Sequence, residues 1–437
     1  MPRLAIASAA AILAFAGSLS ASPLVLEPLI ENGQTLEGLV GTVWRSTGGA
    51  RINNSGQWTA TVQSLDKDTG MSPRYVISHD GILVDPYATF DYGDGITLDF
   101  SIGLHSAINN KGDVAFGIGG LARDANGNSI GFRSAIVTDT GVVVRSGDQT
   151  PFGGVYPTNT WGSRIKLNDR GEVLSSFDIG LTLFNGPDAV IGFVPNPDGG
   201  YTSVGHAAQG RPFAEGYSAT AANSFGSQQY DLNNNGDVAI GLTLIGENQT
   251  NEPWVALNAN PIHTSGEVPL FGGSIVNLGF TSIAVNDLQQ LAFFGSLVNE
   301  DWETFRWAVF RDDFELVWVD DGQTPLMEGR HIGQPRSIQI TNSGDVFWIS
   351  SFDDSLGLTH DGLFRNGELL ISSDKSIEEV LHLEGFGYDL SDDGNWMIVE
   401  SQASGIFRVQ IPTPSTCLSL LVVCALSGRA RRRGTQV

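Results

Sequence analysis

Polar turns punctuate this chain at a nearly constant interval, each set between two short apolar runs. The pattern is plainest at Asp231-Leu232-Asn233-Asn234-Asn235-Gly236-Asp237-Val238-Ala239-Ile240. Asparagine at the start of a type I turn can accept a hydrogen bond from backbone two residues on. Glycine three residues later can take positive φ without a Cβ clash. With apolar strand formers on both sides, the segment predicts a tight hairpin.

Six other stretches align with it. They are Ile52-Asn53-Asn54-Ser55-Gly56, Ile108-Asn109-Asn110-Lys111-Gly112, Leu167-Asn168-Asp169-Arg170-Gly171, Val285-Asn286-Asp287-Leu288-Gln289, Ile340-Thr341-Asn342-Ser343-Gly344 and Leu390-Ser391-Asp392-Asp393-Gly394. The gaps between turns are 56, 59, 65, 53, 55 and 50 residues, a regularity that marks repeated supersecondary units. The predicted structural turn residues are therefore Asn53, Gly56, Asn109, Gly112, Asn168, Gly171, Asn233, Gly236, Asn286, Gly344 and Gly394. A second hairpin follows in each unit, as in Tyr75–Val84 and Leu363–Leu370, and then a Gly/Pro loop such as Gly147-Asp148-Gln149-Thr150-Pro151. Two hairpins make four strands, which in about 55 residues is the size of a propeller blade.

The two ends complement each other. The seventh unit stops after Ile406-Phe407-Arg408-Val409-Gln410, one strand short, while Leu24–Gly38 repeats the strand-and-loop pattern of Trp318–Gly329. The chain is thus expected to be all-β, a seven-bladed β-propeller of four-stranded blades closed by an N-terminal strand that completes the last blade. An open solenoid would need caps instead.

Composition agrees with many strands joined by turns: 54 Gly, 18 Pro and only 16% charged residues in 437. No stretch of the body keeps a helical apolar period. At the N-terminus, Arg3 followed by the apolar run Leu4–Leu19 and small residues reads as a signal peptide over 1–21. The repeat body then spans 22–411. Residues 412–437 form a tail in which Pro412-Thr413-Pro414 precedes the apolar run Cys417–Leu426 and the arginines 429, 431, 432 and 433.

That tail resembles the PEP-CTERM sorting signal of bacterial surface and matrix proteins, with Thr413 standing where the family has glutamate and four residues trailing the arginines. The resemblance implies processing by an exosortase-like enzyme in an exopolysaccharide-producing setting. More loosely, the N-x-x-G body is similar to bacterial exported tandem-repeat proteins. The expected address is the cell surface, outer envelope or extracellular matrix, with membrane contact only through the tail. Positive charge after the apolar run holds that end inside and leaves the body outside.

Both cysteines, Cys417 and Cys424, lie in the tail, so the body has neither disulfide nor thiolate site. The formal net charge is −24, and since Arg3 and the four tail arginines lie in segments without acids, the body alone carries −29. Such a surface excludes nucleic acid as a partner. A monomer is expected, with exopolysaccharide or other surface proteins as candidate partners.

One turn carries candidate metal chemistry. Asp389, Ser391, Asp393, Gly394 and Glu400 fit the spacing of a calcium loop, with oxygen ligands at positions 1, 3, 5 and 12 and glycine at 6. The alternative for the same residues is a plain hairpin, because other copies begin with Arg51, Ala107 or Lys166. Calcium is the one candidate cofactor. The seven histidines show no metal-ligand spacing, and paired acids such as Asp320-Asp321 read as loop charges. Trp254, Trp307, Trp348 and Trp396 read first as core, and second as sugar-stacking platforms. Ser391-Asp392-Asp393-Gly394-Asn395-Trp396 is superficially similar to the turns of sialidase-type propellers, but the register fails. No catalytic residue emerges. The expected function is a non-enzymatic structural or binding module. A carbohydrate-active enzyme (glycosidase or lyase) using the axial mouth is the rival class, and a calcium-dependent adhesion module a third.

Overall fold

The structure is a computed structural model. It describes residues 26–47, 49–157, 164–180, 188–214, 216–220, 229–245, 251–264, 266–268, 274–278, 282–298, 305–312, 314–320, 333–353, 359–372, 387–401 and 404–411. The expected signal peptide and tail lie outside these, as does the 321–329 half of the loop matched to the N-terminus. Every regular element among the described residues is a strand.

Hydrogen bonds sort the strands into seven antiparallel sheets of four to six strands. The sheet of Lys166–Leu167, Val173–Phe177, Ala189–Pro195 and Tyr201–Ala208 is the plain case, a meander in chain order. Each sheet's innermost strand touches that of the next sheet, and the last, Gly387–Leu390, touches the first, Arg51–Ile52. The sheets therefore close a ring, a β-propeller. Counted as blades the ring yields six, one fewer than the turns led us to expect. Three of the seven sheets have an innermost strand broken in two, which blurs where a blade begins: Thr42–Ser46 with Arg51–Ile52, Tyr217–Ala219 with Tyr230–Leu232, and Ser274–Asn277 with Ile283–Val285.

The ends meet as the sequence predicts. Leu26–Glu31 pairs antiparallel with Gly405–Gln410, Leu26 opposite Val409 and Glu31 opposite Gly405. The loop behind this strand is built like those behind true outer strands. Gly33 N–H donates to Val43 O at 2.7 Å, as Gly147 does to Tyr156 O at 2.8 Å and Gly210 to Ala219 O at 3.0 Å. The seam is sealed by Ile30, 1% exposed, which packs with Ile398 and Ile406 of the last sheet and Val62 and Ile77 of the first. Arg408 adds a bidentate pair to Glu27, whose shorter contact is 2.7 Å.

Among the described residues the core is not one mass but seven clusters, most of them wedged between neighbouring sheets, as Phe347 and Leu363 are against Met397 and Phe407. Alternation along each strand supplies both faces, so middle-strand residues are buried on either side, as all five of Val173–Phe177 are, Ser175 and Ser176 included. Trp348 is fully buried and stacks on Phe364 at 5.7 Å and 10°. The core reading of that tryptophan therefore holds. Trp254 packs edge-on against Tyr217, and Trp396 lies under the Arg408 guanidinium.

Candidate functional site: the turn ring and central channel

In the first five turns the opening asparagine does three things at once. In the fourth turn, Asn233 Oδ1 accepts from Asn235 N (3.0 Å) and Asp237 N (2.8 Å), which closes the turn on itself. Its Nδ2 donates to Asp237 Oδ2 (2.9 Å) and to Asn286 O of the next turn (2.8 Å). Asn53, Asn109, Asn168 and Asn286 repeat this set, reaching Asn109 O, Asn168 O, Asn233 O and Thr341 O in succession. The glycines take the left-handed backbone anticipated for them, with φ of +74° at Gly56 and +83° at Gly236. Where the fifth turn has lost its glycine, Gln289 adopts φ +62°, and its side chain donates to both carboxylate oxygens of Asp237.

The second turn residue, Asn or Asp in all seven copies, forms an inner ring. The backbone N–H of Asn54 donates to Asn110 Oδ1, Asn110 to Asp169, Asp169 to Asn234, Asn234 to Asp287 and Asp287 to Asn342, at 2.7–3.0 Å. Asn342 N–H then reaches Asp392 O, and Asp393 N–H returns to Asn54 Oδ1. This ring and the acceptor four residues after each asparagine (Gln57, Asp113, Glu172, Asp237, Gln290) both leave their signal in the aligned copies. Only the fold explains why position two must be Asn or Asp.

Asp392 sits at the hub. Its Oδ2 accepts Asn110 Nδ2 and Asn234 Nδ2, each at 2.8 Å. Burial, with Asp287 and Asp169 close by, pushes its carboxyl up to about 6 against the pull of the two amides. The turn end of the axis is thereby bridged by side chains.

Above the ring lies the central channel, a cavity of ≈ 100 Å³. That is well under the roughly 300–1,000 Å³ of sites that enclose a whole small-molecule ligand. Strand alternation turns the residue two before the turn's first position toward the axis in six of the seven copies, so Arg51, Ala107, Lys166, Asp231, Gln339 and Asp389 line it. Lys166 pairs with Asp231. Arg164 crosses the lumen to Asp389, three sheets away, at 3.5 Å. Burial, reinforced by Arg164, lowers Arg51 to about 10 and lowers Lys166. Burial likewise drops His105, which faces Arg51, Arg164 and Arg74, to about 4. Burial also raises Tyr388 well above its ordinary value.

The calcium-spaced residues are sent to different places. Asp389 Oδ2 accepts Ile52 N–H and its Oδ1 accepts Gln339 Nε2, both at 3.2 Å. Asp393 accepts Ser391 Oγ–H (2.7 Å), Asn395 N–H (3.0 Å) and Asn395 Nδ2 (2.7 Å), and so caps its own hairpin. Glu400 projects into the first sheet, where it accepts the Ser46 hydroxyl and, at 3.1 Å, Ala50 N–H. Among the described residues no three His, Cys, Asp or Glu gather as a metal set. The loop spacing is thus met in sequence but not in space: a strand carries Glu400 away, where a calcium loop needs a helix to bring it back.

No family model matches the chain, and no curated protein matches it significantly. Solved structures that resemble it include a polysaccharide lyase, an ulvanlyase bound to a GlcA–Rha3S saccharide. It is 10% identical over 89% of this chain and 96% of that one, with a TM-score of 0.39. The β-propeller domain of the trilobed protease from Pyrococcus furiosus is 7% identical over 84% and 94%, with a TM-score of 0.40. Likenesses this distant bear on neither activity nor partner.

Proposed function

We propose that this is an exported, surface- or matrix-associated seven-bladed propeller that acts as a structural or binding module for extracellular polysaccharide or neighbouring surface proteins. The observation that carries the reading is how the repeated polar residues are used. Each turn asparagine satisfies its neighbours, and the channel lysine and one arginine face carboxylates, so the most regular chemistry in the chain builds the ring. Seven sheets and seven linked turns support the blade count. The signal-like N-terminus, the tripartite tail and the acidic body support export, with an exosortase-like enzyme as the processing partner.

The test is binding of the purified body to a glycan array and to exopolysaccharide, with and without calcium, alongside an assay for new reducing ends or unsaturated uronates. Saturable binding with the polymer left intact is expected. Depolymerisation would replace this reading with the carbohydrate-active enzyme, and a calcium-dependent rise in binding and melting temperature with the adhesion module. Fractionation of cells that express the full chain should recover the body outside the inner membrane; retention in the cytoplasm would sink the export reading.

A further inference from the structure

The seam of the ring encloses more space than the channel. A cavity of ≈ 300 Å³ lies between Leu29 and Ile30 of the closing strand and Trp58, Ile77 and Ile82 of the first sheet, with Leu36 of the connecting loop beside them. That volume reaches the range of sites that enclose a small-molecule ligand, roughly 300–1,000 Å³, in which apolar walls are joined by a few polar groups. The charged groups here are of one sign. Glu37 and Asp80 line the cavity, and no lysine or arginine does.

Neither carboxylate is neutralised. Glu37 is exposed and has no ion pair among the described residues. Asp80 Oδ2 lies 3.2 Å from His79 Nε2, but that nitrogen also faces Gln57 Nε2 at 2.9 Å. Gln57 Oε1 is taken by Asn53 Nδ2, which fixes the amide so that its N–H donates to the ring. His79 Nε2 is therefore an acceptor and offers Asp80 no proton. His79 Nδ1 is sealed from solvent and cannot reach a molecule in the cavity.

We infer that the seam cavity binds a small organic cation, an ammonium group carried on an apolar body. The body packs against Leu29, Trp58 and Ile82, and the ammonium faces Glu37 and Asp80. Burial of the body supplies affinity, and charge complementarity selects the ligand. An acid of the same shape would meet two like charges. Because the walls belong to both the closing strand and the first sheet, an occupant clamps the seam, and its binding raises the stability of the closed ring. The inference stands whether or not the protein binds polymer.

The experiment titrates the intact protein, by melting temperature and calorimetry at constant ionic strength, with phenethylamine, its neutral counterpart phenethyl alcohol, the anion hydrocinnamate and the bodiless cation methylamine. Phenethylamine should saturate with about tenfold higher affinity than the alcohol, a modest factor because both acids are solvent-exposed. Neither hydrocinnamate nor methylamine should saturate in the same range. Glu37→Gln combined with Asp80→Asn should bring the amine down to the alcohol's affinity and leave the alcohol's unchanged. Leu36→Trp, which fills the cavity from its loop, should abolish binding of both. No saturation by phenethylamine, equal wild-type affinities for amine and alcohol, or a match by methylamine overturns the site, and so does full amine binding by Leu36→Trp. The comparison of ligands is made on wild type and decides the question even if Leu36→Trp does not fold.

Discussion

Asn234 and Asp392 are 158 positions apart, yet the Nδ2 of the first donates to the Oδ2 of the second at 2.8 Å. The bond crosses the axis between turns three units apart, so Asp392 ties non-adjacent blades together, as Asp389 does through Arg164.

That placement has a pH consequence. Asp392 is raised from 3.8 to about 6 in the folded protein. An acid with a raised folded value binds more protons in the native than in the unfolded state between those pH values. Stability from this group is therefore greatest below about pH 4 and falls as pH rises through 6. Asp392→Asn keeps an oxygen for the two amides and removes the charge. Its melting temperature should exceed wild type at pH 8 by the equivalent of about 2–4 kcal/mol and match it near pH 4. Equal differences at both pH values would place the effect elsewhere.

His206 produces the opposite slope. Burial lowers it to about 4, so the unfolded chain takes up the proton first as pH falls below about 6.5. The stability this neutral ring contributes is complete above that pH and is lost toward pH 4. Replacing it with glutamine should flatten the acid limb of a urea-midpoint titration between pH 6.5 and 4. An unchanged limb would assign the slope to His105, which is lowered in the same way.

The turn ring can be tested one amide at a time. Asn233→Ala removes four hydrogen bonds, three inside the turn and one to the next turn, at an expected cost of about 2–4 kcal/mol in urea denaturation. Gly236→Ala should also destabilise, because φ is +83° and a Cβ there presses on Glu172 Oε2 and Arg170 Nη1. The fifth turn should tolerate Gln289→Gly within about 1 kcal/mol, since relief of the left-handed backbone offsets the lost contacts to Asp237.

Closure by the N-terminal strand is testable at Gly405. Its φ is +127°, and a Cβ would overlap Ile30 O on the closing strand. Gly405→Ala should cost about 2–3 kcal/mol or more. Gly33→Ala, at φ +86° with open space around it, should cost only about 1 kcal/mol. Equal costs at the two sites, or a protein lacking residues 24–38 that melts like wild type, would show that this pairing does not close the ring.

The sequence alone determined the local and the periodic. An Asn–x–x–Gly turn between β-formers is decided by the backbone conformations its own residues allow, and its recurrence, together with the missing seventh outer strand, was enough to bring Leu26–Glu31 onto Gly405–Gln410. What only the tertiary structure decided is long-range placement. Asp389 and Glu400 looked like partners in one loop, until strand direction sent one to the channel and the other beneath Ala50. Arg164 lies outside the aligned turn positions, and its meaning comes from the lumen it crosses to Asp389. The inner ring was written in seven copies of Asn or Asp, but a side chain that bonds the next turn has no local signature. Its partner exists only once the sheets have closed into a circle.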